Sequence, residues 1–431
     1  MFNDTSHQEK QFQNRIISEL EKQGWLVGKS SEYNQKFGVY PADVIGFIQN
    51  TQAESWEKLN RTYKNNAEQK ILSELDKALN KHGCLKVLRD GFQIAGAGTV
   101  EFKAPMPEDQ RNQTVIAKYA QNRLRVVPEL VYNHNEQNRI DLVFFINGLA
   151  VATVELKSEF TQKLEDAINQ YKNDRLPFDK VAKRAEPLLS VKRGAIVHFA
   201  MTESEIMMTT ELKGADTFFL PFNQGNNGHK GNPPSKDGYP TAYFWEQICQ
   251  KDNWLAIFHR FVFVERKTEG DLLGQFKTQE RLIFPRYHQF DAVTKMLADA
   301  KANGAGMNYL CEHSAGSGKT STIAWTAHGL TRLRYDDGEP YFHGVIIVTD
   351  RTVLDAQLQE AVSQLEHQKG FIATINRDDK ENSGKSKSQQ LKDALLENKP
   401  IIVVTIQTFP FVMEAILTTK SLSNQKLRHY H

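Results

Sequence analysis

The sequence has few cysteines, no long hydrophobic runs and almost no excess of charge. Its cysteines, Cys84, Cys249 and Cys311, are scattered and lack the paired spacing of a zinc site or a disulfide framework, which favours a reducing compartment. The apolar runs are too short to span a bilayer and the polar N-terminus is unlike a signal peptide, so we expect a cytoplasmic protein. A formal net charge of +2 argues neither for nor against a nucleic-acid partner.

The chain is long enough for two or three domains, with 431 residues of which 40% are hydrophobic. Helical periodicity over about 4–22 and 52–80 gives way after Gly91 to short β-rich runs, and the Gly, Asn and Pro content of 222–241 predicts a long loop. Past Arg281 the alternation of strand and helix patterns, starting with the run MNYLC, predicts a parallel sheet flanked by helices. We therefore predict an α/β fold with a mixed-sheet domain at 1–260, a connector at 261–280 and a parallel lobe at 281–431.

The most specific motif is SAGSGKT, which follows an apolar run and precedes a helical pattern, as in a phosphate-binding loop. Small residues let backbone N–H groups converge on phosphate oxygens, and the helix N-terminus adds partial positive charge. Lys319 would reach the β- and γ-phosphates and Thr320 would hold Mg²⁺, so we expect ATP with Mg²⁺ as cofactor. His313 replaces the first glycine of the general motif, and a chance GSGKT in a surface loop is the alternative. The predicted ATP-binding residues of the loop are Ser314, Ala315, Gly316, Ser317, Gly318, Lys319 and Thr320.

Segments on both sides of this loop resemble motifs of superfamily 2 helicases and translocases. FPRYHQF carries Arg286 and Gln289, which resemble the adenine-reading motif of that superfamily. VTDRTVLDAQL and TIQTF resemble its nucleic-acid-contacting segments, although a strand-end capping role is the alternative for each residue. The residues implied in nucleic-acid contact are Arg351, Gln357, Thr405 and Gln407. Hydrolysis in this superfamily needs a second acidic motif, which does not follow here, so we expect an incomplete lobe that does not translocate alone.

A second constellation surrounds Asn147-Gly148, the dipeptide that most strongly signals a β-hairpin. Asp141 begins the apolar run before this turn, and Glu155 and Lys157 end the run after it, so the hairpin brings all three to one end of a sheet. This arrangement resembles the PD-(D/E)xK nucleases. Two carboxylates with a main-chain carbonyl between them suit Mg²⁺, and Lys157 would orient or help deprotonate the attacking water. Asp141 and Glu155 are therefore the predicted metal ligands.

The register of the hairpin tests this site. A two-residue turn with regular pairing would set Asp141 against Val154, and Glu155 would then point to the opposite face of the sheet. We therefore predict a three-residue loop at 147–149, or an equivalent bulge near Asp141. An ordinary strand-end ion pair between Glu155 and Lys157 is the structural alternative.

A predicted helix after the hairpin carries a further candidate catalytic residue, Gln170. It stands where related exonucleases and restriction motors begin a QxxxY motif. Asp174 replaces the tyrosine of that motif and Tyr171 is displaced from it, which leaves the role of this helix open. Ile140 stands where the name PD-(D/E)xK places proline.

The two halves together resemble the restriction, or motor, subunit of type I restriction-modification enzymes. MTT, FLPFN and GNP, followed in order by HSAGSGKT, VTDRTVLDAQL and TIQTF, carry this resemblance. It implies a nuclease-like mixed sheet, then part of a RecA-like lobe, in an ATP-driven translocase that cleaves double-stranded DNA in a complex with methyltransferase and specificity subunits. Two alternatives stay open: a helicase-like ATPase whose hairpin is structural, and a non-catalytic assembly module that binds nucleotide.

Overall fold

The structure is a computed structural model of the chain. It describes residues 3–108, 111–133, 138–159, 162–181, 183–236, 238–270, 276–350, 352–365, 371–375 and 385–408. Within these ranges the chain divides into two compact units. The first unit comprises 1–107, 112–262 and 282–287, and the second comprises 108–111, 263–281 and 288–431.

The first unit combines helices with a large sheet. Its helices are α1 (Asn3–Lys22), α2 (Pro41–Thr51), α3 (Ala53–Tyr63), α4 (Ala67–His82), α5 (Cys84–Asp90), α6 (Gln113–Ala120), α7 (Leu164–Asn173) and α8 (Lys251–Ala256), and single π-helical turns span Phe244–Ile248 and Ile257–Phe261. Its strands are β1 (Leu26–Val27), β2 (Phe92–Ile94), β3 (Gly98–Val100), β4 (Leu124–Val131), β5 (Arg139–Ile146), β6 (Leu149–Leu156), β7 (Phe178–Asp179), β8 (Arg184–Ala185), β9 (Val197–Met201), β10 (Ile206–Thr209) and β11 (Leu220–Pro221).

The main sheet of this unit is mixed, as predicted. Its order is β1-β4-β5-β6-β9-β10-β11. The pairs β1 with β4 and β6 with β9 are parallel, and the other pairs are antiparallel. Every residue of β6 is buried, which explains why its sequence is mostly apolar and does not alternate between apolar and polar residues. The predicted loop at 222–241 contains only an isolated bridge between Asn226 and His229 in its described part.

The turn between β5 and β6 decides which residues share a face. Ile146 pairs with Leu149, so Asn147 and Gly148 alone form the turn and the predicted three-residue loop is wrong. The alternative, a bulge, is confirmed: the register shifts between Phe144 and Phe145, and Val151 is the extra residue on β6. Beyond it Leu142 pairs with Val154, and the same register continued by one residue sets Asp141 opposite Glu155.

The predicted N-terminal helix is confirmed as α1, and its apolar stripe anchors it to the unit. Phe12, Ile16 and Leu20 are buried, as the spacing of an amphipathic helix requires. The ring of Phe12 stacks on Tyr239 with centroids 5.5 Å apart. The helix ends before Gly24, whose positive φ of 88° ends the helical run without steric cost.

The second unit is a parallel α/β arrangement. Its helices are α9 (Tyr287–Asn303), α10 (Lys319–Leu330), α11 (Thr352–Gln364) and α12 (Lys387–Leu396), and its strands are β12 (Phe263–Gly270), β13 (Phe276–Ile283), β14 (Val345–Thr349), β15 (Ile372–Thr374) and β16 (Ile401–Thr405). β14, β16 and β15 form a parallel sheet in that order. The central strand β16 is buried on both faces, since α10 and α11 pack on one face and α12 packs on the other. The paired strands β12 and β13 occupy most of the range expected as a connector.

One predicted strand of this unit is wrong. The run MNYLC at 307–311 has no strand structure, and the side chain of Leu310 is 92% exposed. A run of β-forming residues becomes a strand only where pairing and burial stabilise it, and neither occurs here. The helix that follows the phosphate-binding motif does form, as α10. None of the helices in the described part of the chain has the length and apolar composition needed to cross a membrane.

Candidate active site

Asp141 and Glu155 are held on one face of the mixed sheet, each tied to the protein through one oxygen. Asp141 Oδ2 accepts the N–H of Leu156 at 2.7 Å. Glu155 is fully buried, and its Oε1 accepts a hydrogen bond from Arg175 Nε at 2.5 Å. Its Oε2 is also buried and accepts no N–H or hydroxyl group of the described residues, and the carboxyl groups of Asp141 and Glu155 lie within hydrogen-bonding reach of each other. The predicted pairing of the two acids is therefore present.

Burial controls the charge of this pair. It raises the pKa of Glu155 well above the ordinary value, and the neighbouring Asp141 carboxylate raises it further, while Arg175 acts in the opposite direction. Burial also raises the pKa of Asp141, against the effect of Lys157 and of the Leu156 N–H. Two adjoining carboxylates, of which Glu155 is fully buried and Asp141 partly buried, tend to retain a proton unless cations compensate both charges. The site is therefore suited to a divalent cation.

Lys157 places its ammonium beside these acids. Its Nζ donates to the main-chain carbonyl of Leu156 at 2.8 Å and lies 3.4 Å from Glu9 Oε2. The described residues contain no group of three or more Asp, Glu, His or Cys side chains arranged to hold a metal. The carboxylates of Asp141 and Glu155 supply oxygens of the kind that Mg²⁺ prefers, and this ion ordinarily keeps several waters as further ligands.

Helix α1 contributes polar residues that the sequence prediction missed. Gln13 Nε2 donates to the main-chain oxygen of Asp141 at 2.8 Å and to Glu129 Oε1 at 3.1 Å. Burial raises the pKa of Glu9, against the effect of Lys157. A signal was present in the sequence: Glu9 and Gln13 are four residues apart and lie on the same helical face as Phe12.

Arg175, which the sequence analysis did not single out, makes the hydrogen bond to Glu155, while the candidate catalytic residue Gln170 does not contact the acids by a hydrogen bond. The main-chain oxygen of Gln170 accepts the N–H groups of Asp174 and Arg175 at the end of α7, at 2.9 and 3.1 Å. Gln170 Oε1 is buried without a hydrogen-bond partner among the described residues, and no hydrogen bond joins it to Asp141 or Glu155. Its catalytic role stays a prediction.

A buried polar network fixes α7 to the sheet under the acids. Thr153 Oγ1 lies 2.7 Å from Tyr171 Oη and 2.7 Å from His198 Nδ1. Burial lowers the pKa of His198 to about 3, so its ring is neutral at physiological pH. Tyr171, displaced from the family motif, therefore has a structural partner in this chain.

Glu186 is a further buried acid of the first unit. Burial raises its pKa to about 7, although the N–H of Leu188 acts in the opposite direction. Its Oε1 has no hydrogen-bond partner among the described residues. This side chain is therefore close to half ionised near neutral pH.

The SAGSGKT segment forms a loop at the N-terminus of α10. Gly318 precedes the helix with φ of 84°, a left-handed backbone conformation that favours glycine. Lys319 Nζ donates to the carbonyls of His313 and Ser314 at 2.9 and 3.0 Å. Its ammonium thus reaches back over the loop, where it could exchange these carbonyls for phosphate oxygens.

The predicted adenine-reading residues occupy different units. Gln289 is buried at the start of α9, and its Nε2 donates to the Gly318 carbonyl at 2.9 Å, which joins it to the phosphate-binding loop. His288 Nε2 lies 3.2 Å from the carbonyl of Ser317. Arg286 lies in the segment that belongs to the first unit.

Two of the four candidates for nucleic-acid contact, Thr405 and Gln407, have described side chains. Thr405 is buried and its hydroxyl lies 3.1 Å from that of Thr408. Gln407 is exposed and donates to the Asp350 carbonyl at 3.1 Å. Arg351 and the side chain of Gln357 lie outside the described residues.

The architecture and these clusters define a two-unit α/β protein that joins a mixed-sheet unit with two adjoining acids to a parallel unit with the SAGSGKT loop at a helix N-terminus. Comparisons with known proteins agree with this division. Residues 6–216 match the family described as "Type I restriction enzyme R protein N terminus", and residues 288–427 match the family described as "SWI2/SNF2 ATPase". The first part of the chain is therefore similar to the N-terminal region of type I restriction enzyme R proteins, and the later part is similar to SWI2/SNF2 ATPases.

A curated relative supports the same assignment at low identity. The chain is 22% identical over 375 residues to the "Putative type I restriction enzyme MjaVIIIP endonuclease subunit" of Methanocaldococcus jannaschii. The alignment covers 82% of this chain and 32% of that subunit, so the chain spans about a third of the relative's length.

Proposed function

We propose that the chain belongs to the DNA-cleaving and ATP-dependent DNA-translocating subunit of a type I restriction endonuclease and does not translocate DNA alone. It would act on double-stranded DNA in a complex with methyltransferase and specificity subunits, which supply sequence recognition. The observation that carries the nuclease proposal is the bulge at Val151, because it brings Asp141 and Glu155 to one face beside Lys157. A plain strand-end ion pair would not need the second acid.

Each residue of the cluster would have a separate role in phosphodiester hydrolysis. Asp141 and Glu155 would hold Mg²⁺, which when bound polarises the phosphate and lowers the pKa of water. Lys157 would orient the attacking water and compensate negative charge on the phosphate. Gln13, through its hydrogen bond to the Asp141 carbonyl, would keep the acid-bearing strand in place.

The P-loop unit would bind ATP with Mg²⁺. Lys319 would contact the β- and γ-phosphates, Thr320 would hold the ion, and Gln289 would link the adenine side of the site to the loop through Gly318. The small residues and the positive φ of Gly318 support this proposal, because they leave room for phosphate at the helix N-terminus.

Cleavage by the assembled restriction complex tests the nuclease proposal. Glu155→Gln and Asp141→Asn should lower DNA cleavage by more than about 100-fold while DNA binding in a gel-shift assay is kept, because a metal ligand is lost. Glu165→Gln is the matched control, since Glu165 is an exposed acid on α7. Wild-type cleavage by Glu155→Gln would refute the nuclease assignment and favour a helicase-like ATPase with a structural hairpin.

A further inference from the structure

Arg175 is a buried cation directly beside the candidate nuclease acids. Its Nε lies 2.5 Å from Glu155 Oε1, and both side chains are buried. The N–H of Arg175 donates to the Gln170 carbonyl at 3.1 Å, which holds its backbone at the end of α7. The side chain therefore extends toward Glu155 from a backbone position that is held just after the end of α7.

In each of the two acids, one carboxylate oxygen accepts a hydrogen bond from an N–H group of the protein. Asp141 is tied to the protein through Oδ2 and Glu155 through Oε1. The remaining oxygen of Glu155, Oε2, is buried and accepts no hydrogen bond from an N–H or hydroxyl donor among the described residues. The carboxyl group of Asp141 lies within hydrogen-bonding reach of Glu155. Two facing carboxylates are typical ligands of a divalent cation, and Oε2 is the Glu155 oxygen that Arg175 leaves for one.

We propose that Arg175 is a positioning residue of the nuclease site, which anchors Glu155 through Oε1 so that Oε2 is presented, together with Asp141, to a divalent cation. The inference rests on the proposed nuclease function, since it assigns one oxygen of that site to the metal. The N–H···O⁻ bond from a guanidinium is directional and charge-assisted, so it fixes the rotamer of Glu155 as well as compensating its charge.

The charge of Arg175 and its positioning of Glu155 have opposite effects on metal affinity. The positive charge of Arg175 repels an incoming cation, so an arginine that served only as a counter-ion would weaken metal binding, and its removal would strengthen it. A positioning residue has the opposite effect, because its removal frees the carboxylate to rotate away from the metal. The direction of the change in metal affinity therefore separates the two roles.

Binding of Mn²⁺ to the 431-residue chain, measured by titration calorimetry, tests the proposal. Arg175→Met should raise the Kd for Mn²⁺ by at least about 10-fold, and Arg175→Lys, which keeps a charged donor, should restore part of the loss. Arg193→Met is the matched control, because Arg193 is also buried in the first unit but bonds to Asp76 and the Pro187 carbonyl, away from the acids. Its Kd for Mn²⁺ should stay within about twofold of the wild type.

An unchanged or tighter Kd for Mn²⁺ in Arg175→Met would overturn the positioning role. Arg175→Gln provides a second neutral variant to which the same outcomes apply if the methionine variant does not fold. Glu155→Gln separates the two proposals. If it binds Mn²⁺ as the wild type does, the metal site itself is refuted; if it loses binding while Arg175→Met does not, only the role of Arg175 is refuted.

Discussion

Glu186 gives the most quantitative prediction, because its pKa is raised from the ordinary 4.5 to about 7 by burial. The folded state therefore binds this proton more tightly than the unfolded state, so the contribution of Glu186 to stability falls as the pH rises from about 4.5 to about 7. Each pKa unit corresponds to about 1.4 kcal/mol, so the loss over this window is about 3 kcal/mol. Glu186→Gln cannot ionise and should not show it.

The difference in unfolding free energy between Glu186→Gln and the wild type isolates this group, because the other buried acids are common to both proteins. We expect the variant to gain about 3 kcal/mol relative to the wild type between about pH 4.5 and about pH 8. Urea unfolding followed by tryptophan fluorescence measures it. A Trp325→Phe background leaves only tryptophans of the first unit: Trp25, Trp56, Trp245 and Trp254.

The control for this experiment is Glu21→Gln, which removes an exposed acid of α1. It reports how the loss of one surface carboxylate, without burial, changes the measured stability difference. A Glu186→Gln difference that stays constant across the window, within about 0.5 kcal/mol, would refute the argument that burial raises the pKa of this side chain.

Three further variants test other parts of the structure. Gly148→Ala should lower the unfolding free energy by about 3 kcal/mol in urea unfolding, because a Cβ there would lie 2.5 Å from Val44 Cγ2 at a positive φ; an unchanged stability would contradict the tight turn. Thr153→Val should cost about 2–4 kcal/mol in the same assay, because Tyr171 loses its hydroxyl partner, and wild-type stability would argue against the network. Lys319→Ala should weaken binding of a fluorescent ATP analogue by about 10- to 100-fold, and unchanged affinity would exclude the P-loop assignment.

Local patterns predicted the elements whose stability depends on nearby residues. The apolar spacing of Phe12 and Ile16 was enough for α1, because burial of one stripe determines that helix. The turn residues and apolar runs around Asn147 were enough for the hairpin. The same reasoning failed at 307–311, where the residue types favour a strand but the structure provides no pairing partner.

The missing parts of the candidate site are long-range contacts. Arg175 reaches Glu155 only because α7 folds back over β6, and Gln13 reaches Asp141 only because α1 packs beside β5. No local pattern encodes these approaches. The need for Asp141 and Glu155 to share a face did predict a register irregularity, but its position at Val151 depends on packing along both strands.

The bulge at Val151 has a consequence for how relatives of this chain are recognised. A protein could keep Asp141, Glu155 and Lys157 in every letter and still lack the site if the hairpin kept its length but paired without the bulge, because its acids would then lie on opposite faces. The number of residues between the two acids and the bulge that absorbs the extra one therefore have to be considered together. Hairpin length read with the strand register would distinguish a competent nuclease from a copy that motif matching alone would accept.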